Sequence, residues 1–119
     1  NPQAARALAV NLASMPKSAR TVAVFSMLKD KDIAGVAAAV KDRITHWFAA
    51  TAEGPRGASA QQLEAALQRA GVSVPVRRFE DVGGAWRAAC QIAAENDKII
   101  VFGSFLTVAA VMRERQRKA

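Results

Sequence analysis

Residues 99–107 read Ile99-Ile100-Val101-Phe102-Gly103-Ser104-Phe105-Leu106-Thr107. Four consecutive apolar residues suit a strand buried on both faces. A glycine and a serine follow at once, and then a helical pattern begins. Ser104 and several free backbone N–H groups are thereby set at a strand-to-helix turn. In open α/β sheets that is where anions and carboxylates bind.

Working outward, the strand spans Lys98 to Phe102, and the helix after it turns Phe105, Val108, Ala109 and Met112 inward. The helix before it starts at Asp81 to Gly84, with Trp86, Ala89, Cys90 and Ala93 on its inward face. Further back, Val74-Pro75-Val76 predicts a short strand, and a proline inside it demands a sheet edge because proline donates nothing to the ladder. Ser59 with Gln62 forms a capping box, and Leu63, Ala66 and Leu67 continue a helix that Gly71 stops. His46 to Ala50 and Thr21 to Phe25 read as buried strands. Between them Ile33, Val36, Ala37, Val40 and Ile44 repeat at helical spacing. At the start, Asn1-Pro2 makes a good helix beginning, Ala5, Leu8, Ala9 and Leu12 mark one face, and Met15-Pro16 ends it.

The order is αβαβαβαβα. Alternation with short loops predicts right-handed crossovers and a three-layer, Rossmann-like α/β domain, its mostly parallel sheet flanked by helices. The chain opens on a helix where such a sheet wants a strand. The expectation is therefore a missing first strand, supplied by a longer parent protein.

The 119 residues make one domain, and with 51% apolar content a packed core is affordable. No apolar run approaches the roughly 20 residues that cross a bilayer. The first residues do not read as a signal peptide, and Cys90, the single cysteine, makes no internal disulfide. A cytoplasmic setting is the expectation, with no membrane partner. The net charge of +7 favours anionic ligands. Arg113, Arg115, Arg117 and Lys118 crowd the last turn, where cations suit the helix dipole.

The loops leaving the strand C-termini line the ligand crevice of a parallel sheet. Here they are 26–32, 51–59, 79–84 and Gly103-Ser104, with Asn1-Pro2 expected on the same rim. Lys29, Asp30, Lys31, Asp32, Glu53, Arg56, Asp81 and Ser104 gather there, a set that suits an anionic ligand carrying an amine. Asp30 and Asp32 have the chemistry of general acids, bases or metal ligands, yet both also stand where a helix N-terminus takes a capping acid. Arg56 lies between glycines after a proline, in a loop shaped either for its own sake or to present a guanidinium to a carboxylate or phosphate. Ser104 is a helix cap or a ligand contact, and Gly103 permits close approach. His46 and Cys90 read as structural. There is no Walker-type loop and no Gly-x-Gly-x-x-Gly, so no nucleotide-phosphate cradle is evident.

Four of these segments, in order, are Asn1-Pro2-x-Ala4, 27–32 (Met-Leu-Lys-Asp-Lys-Asp), 53–58 (Glu-Gly-Pro-Arg-Gly-Ala) and Gly103-Ser104-Phe105-x-Thr107-Val108. Together they resemble the C-terminal domain of the bifunctional dihydrofolate synthase/folylpolyglutamate synthases, within the Mur ligase superfamily. The resemblance covers nearly the whole chain. It implies that residues 1–119 are the glutamate ligase domain of a larger cytoplasmic enzyme. The implied chemistry forms a C–N bond: ATP phosphorylates a carboxylate of dihydropteroate or a folate, and the L-glutamate amine attacks the acyl phosphate. ATP and magnesium are held mainly by a central domain that this sequence lacks, so neither is expected to bind this chain alone. The resemblance places Ser104, Gly103, Asn1, Arg56, Lys29, Asp30, Lys31 and Asp32 at the substrate crevice, Ser104 nearest the glutamate, with no catalytic residue and no metal ligand assigned.

Family members carry a strand ending Asp-x-Ala-His just before the Asn-Pro pair, and this chain starts after it. The isolated chain is therefore expected to be inactive. It is also expected to pair with a second copy or a further segment, or to be marginally stable. The alternatives are another Mur-superfamily peptide ligase, whose Asp-Asn-Pro-Arg signature is absent, and a basic nucleic-acid or anion-binding module. Against the latter, Trp86, Phe102 and Phe105 are expected inward rather than interleaved with basic residues as stacking platforms. A flavodoxin-like or receiver domain fits the alternation but not the residues at the strand ends.

Overall fold

The computed structural model describes residues 2–14 and 19–117. Asn1, Met15-Pro16 and Lys118, named above, lie outside the described residues. Helix α1 (Pro2–Ser14) leads into β1 (Thr21–Phe25), α2 (Ile33–Val40), β2 (His46–Ala50), α3 (Ala60–Arg69), β3 (Val76–Phe79), α4 (Val82–Ile92), β4 (Lys98–Phe102) and α5 (Phe105–Arg117). One 3₁₀ turn, Lys41–Arg43, extends α2. The expected alternation is present throughout.

All three strand pairings are parallel, in the order β3-β2-β1-β4. The central strands are apolar along their length because both faces are covered. Residues 22–25 and 47–50 are all buried. Ala5 of α1, Ile33, Val36, Ala37 and Val40 of α2 and Leu63, Ala66 and Leu67 of α3 share one core with Ala23, Phe25, Trp47 and Ala49. Val82, Ala85 and Ala89 of α4 and Ala110 and Val111 of α5 share the other with Val22, Val24, Phe48 and Ala50. The connections through α2 and α3 step from β1 toward β3 on one face. The connection through α4 steps back to β4 on the other face, as right-handed crossovers require. Chain direction therefore reverses between β1 and β4, which makes their C-terminal ends the topological switch point.

Local signals account for the element ends. Asp32 Oδ1 accepts from the Gly35 N–H at 3.0 Å and caps α2. Ser59 and Gln62 form both bonds of the capping box on α3. Gly71, with φ of +87°, ends that helix. Asp81 Oδ1 accepts from the Gly84 N–H at 2.7 Å and caps α4. At the opposite end of the sheet, Arg20 and Asp97 tie the starts of β1 and β4 together at 2.8 Å.

Three expectations change. The edge strand covers residues 76–79, so Pro75 stands before it rather than inside it. The Pro75 carbonyl still joins the ladder, accepting from Trp47 N–H at 3.0 Å. The stripe of α4 is rotated: Val82, Ala85 and Ala89 are buried, Trp86 is half-buried, and Cys90 is exposed. In a helix this rich in alanine and glycine, apolar spacing marks no single face. The face of α5 differs for another reason. Thr107 and Glu114 are buried, whereas Val108 and Met112 are 44% and 48% exposed. Both buried polar groups have found partners on distant segments, described below, and those bonds offset their burial.

Strand β4 has the composition of a doubly buried strand, yet all five of its residues are only half-buried. It is an edge among the described strands. The four strands pair without a gap, which leaves β3 and β4 as the two edges among the described strands.

Candidate functional site

Ser26, Met27, Gly103 and Ser104 stand at the switch point. Gly103 has a φ of +123°, a region that side-chain-bearing residues rarely enter. A Cβ built there would also run into the Ser26 carbonyl. The β4 turn thus presses directly on the end of β1, and only glycine permits it. Ser104 follows, half-buried. Its Oγ lies 3.2 Å from Thr107 Oγ1 and accepts from the Thr107 N–H at 3.4 Å, a long cap on α5. Thr107 Oγ1 donates in turn to the Ser26 carbonyl at 2.9 Å. The Ser26 hydroxyl itself is buried and has no hydrogen-bond partner.

From the next residue the network continues sideways. Met27 C=O accepts from Ala58 N–H at 3.0 Å, and Lys29 N–H donates to Arg56 C=O at 2.8 Å. Leu28 and Gly57 form an antiparallel bridge between them. The loops after β1 and β2 are therefore joined by main-chain bonds, and side chains complete the junction. Arg56 Nη2 donates to Asp30 Oδ2 at 2.7 Å, holding the Asp30 carboxyl below the usual carboxylate range. Gly54, with φ of +84°, supplies the turn that the loop needs. Gly57 acts differently: its φ is not positive, but a Cβ would strike the Ala52 carbonyl.

The structure thus brings Ser104, Gly103, Arg56 and residues Lys29, Asp30, Lys31 and Asp32 to one end of the sheet, in one connected set of loops. Asp32 is a helix cap there. Arg56 presents its guanidinium to a carboxylate, that of Asp30. Lys29 and Lys31 are exposed. Asn1 lies outside the described residues. His46, by contrast, sits at the other end, its Nδ1 2.9 Å from Thr45 Oγ1.

Helix α5 closes the rim on the far side. Arg113 Nη2 donates to Glu53 Oε1 at 2.6 Å, and Arg87 Nη1 to Glu114 Oε1 at 2.6 Å. These residues, with Asp81 and Arg117, line a cleft of about 260 Å³. Arg113 pairs there with Glu53, while Glu114 is shared between Arg87 and, at 3.5 Å, Arg117. Sequence reading missed this lattice and the place of Thr107. A threonine three residues after a capping serine, within the apolar run 105–112, is the available signal.

No group of three or more His, Cys, Asp and Glu side chains close enough to hold a metal occurs among the described residues. No helix there is long and apolar enough to cross a membrane.

A parallel four-stranded sheet with helices on both faces and a Gly-Ser turn at its switch point defines a Rossmann-like α/β domain. The family model for the Mur ligase, glutamate ligase domain matches residues 1–105, and the chain belongs to that family. It is 45% identical over 112 residues to the dihydrofolate synthase/folylpolyglutamate synthase of Escherichia coli, covering 94% of this chain and 25% of that protein. The Haemophilus influenzae enzyme of the same name is 35% identical over 111 residues, with 92% and 25% covered. Among solved structures, E. coli FolC in complex with DHPP and ADP superposes with a TM-score of 0.90 at 42% identity, over 99% of this chain and 27% of that one. The Yersinia pestis bifunctional enzyme complexed with AMPPNP and Mn gives 0.86 at 48% identity, over 98% and 27%. The chain thus spans about a quarter of the length of these relatives.

Proposed function

We propose that residues 1–119 form the C-terminal domain of a larger ATP-dependent ligase that adds L-glutamate to dihydropteroate or a folate in the cytoplasm. The observation that supports this most directly is the gathering of its motif loops, 27–32, 53–58 and 103–108, at one end of the sheet. The relatives that the chain matches carry the synthase names given above. ATP, when bound with its metal, supplies the phosphoryl group that activates the substrate carboxylate.

What this chain contributes is seating and closure. The turn at Gly103-Ser104 offers a hydroxyl and free helix N–H groups to a small anionic amino acid. Arg56, Lys29 and Lys31 make the approach electropositive and favour carboxylates. The glutamate nitrogen then attacks the activated carboxyl carbon; the C–N bond forms as the C–O bond to phosphate breaks, and the amine proton is released. Holding the amine in line is an orientation effect, and misplacement by about 1 Å costs on the order of 100-fold in rate. The neighbouring reading, a Mur-superfamily peptide ligase, differs in the acceptor carboxylate.

The test uses the full-length protein. With ATP, magnesium and L-glutamate, ADP release is expected to depend on dihydropteroate or a folate. Ser104→Ala should raise KM for glutamate about tenfold, the worth of one hydrogen bond to a charged group, and leave KM for ATP within about twofold. Turnover with a peptidoglycan precursor and not with a pterin acceptor would overturn the folate assignment.

A further inference from the structure

Resting on the reading that Ser104 lines the amino-acid crevice, we propose that Thr107 is a positioning residue for the Ser104 hydroxyl. The argument is proton bookkeeping. A threonine hydroxyl has one proton to donate and two lone pairs to accept with. The Ser26 carbonyl can only accept, so the 2.9 Å bond takes the Thr107 proton. Thr107 Oγ1 is then an acceptor toward Ser104, and across their 3.2 Å separation Ser104 is the donor. The Thr107 N–H, whose closer acceptor is the Ser104 carbonyl at 3.1 Å, also reaches the Ser104 Oγ at 3.4 Å. One residue therefore addresses both the proton and a lone pair of Ser104.

Thr107 is held on every side: it is 1% exposed, its β-branched side chain has few rotamers in a helix, and its hydroxyl is anchored to the Ser26 carbonyl just past the end of β1. Ser104 is the more weakly held partner: its 3.2 Å hydroxyl contact is longer than the roughly 2.7–2.8 Å typical of O–H···O pairs, and its 3.4 Å N–H bond is longer than the roughly 2.9–3.0 Å typical of N–H···O. A ligand group can thus replace the Thr107 contact at small cost, while the hydroxyl waits in position. The geometry also ties the β1 end, the β4 turn and α5 together through one side chain. Thr107 touches no ligand in this assignment; it acts through Ser104.

A double-mutant cycle in the full-length ligase tests this, reading KM for L-glutamate, kcat, KM for ATP and the melting midpoint. Thr107→Val keeps the shape and removes the hydroxyl. It should raise KM for glutamate about fivefold to tenfold, the worth of one hydrogen bond, with KM for ATP unchanged. Thr107→Ser should restore KM to within about twofold, since the hydroxyl returns. In the Ser104→Ala background, Thr107→Val should raise KM no further. An equal rise in both backgrounds, or an unchanged KM in Thr107→Val alone, overturns the positioning role while leaving the site reading intact. An unchanged KM in Ser104→Ala alone overturns the site reading, and this inference with it.

Discussion

Arg87 of α4 and Glu114 of α5 meet at 2.6 Å, and the Glu114 side chain is only 9% exposed while that of Arg87 remains 45% exposed. Glu114 is therefore a core position of α5 despite its charge. Its second oxygen lies 3.5 Å from Arg117, and the carboxylate raises the affinity of Arg87 for its proton. Removing one partner of such a pair strands the other charge, whereas replacing both with apolar groups does not. Arg87→Met should lower the thermal midpoint of the domain more than the double change Arg87→Met with Glu114→Leu. Equal midpoints for the two would show that the pair does not hold α5 in place.

The Asp30 carboxyl is held low chiefly by its hydrogen bond from Arg56. A group whose pKa is lower folded than unfolded stabilises the fold above its unfolded value, near pH 4, and loses that contribution as pH falls through the folded value. Asp97 has the same sign, from the Ala94 N–H first and Arg20 after it. Melting followed from pH 6 to pH 2 should therefore fall more steeply for the wild type than for Asp30→Asn. The two acid limbs should converge at the lowest pH, and parallel limbs would refute the assignment.

Gly103→Ala tests the switch-point geometry. The substitution places a methyl against the Ser26 carbonyl in a backbone region that costs on the order of 1–3 kcal/mol for other residues. A loss of about 2–4 kcal/mol is expected in urea unfolding. Gly54→Ala carries the same class of backbone strain but meets nothing within 4 Å, so it should cost less.

The half-buried edge of β4 carries a structural prediction. Helix α1 lies on the same face as α2 and α3, so a parallel strand feeding it from upstream reaches its right-handed position beyond β4. A longer version of the chain that includes such a strand should be more stable than residues 1–119. Its amides at residues 99–101 should also exchange more slowly with solvent. Unchanged exchange in the longer version would exclude that placement.

Activity should not survive in residues 1–119 alone. Incubated with ATP, magnesium, L-glutamate and dihydropteroate or a folate, the isolated chain should release no ADP above background. Measurable ligation by it would overturn the division of labour proposed here.

Much of this architecture is readable along the chain. Strands at 21–25, 46–50 and 98–102, the Ser59–Gln62 capping box and the alternating order are local signals, carried by residues within one turn or one strand of each other. The rim is readable for the same reason, because a parallel sheet sends every strand-end loop to one side, and the motif loops could be named in advance. What waits on folding is every feature whose partner is far away in sequence. Apolar spacing turned Val108, Met112 and Cys90 inward, but Thr107 is buried because Ser26 accepts its proton from 81 residues away, and Glu114 because Arg87 answers it from 27. Asp30 and Arg56 likewise become a pair only once two loops lie side by side. Periodicity reports how greasy a face is; which face is inside depends on who meets it there, and a polar group with a partner competes for the core on equal terms with a methionine.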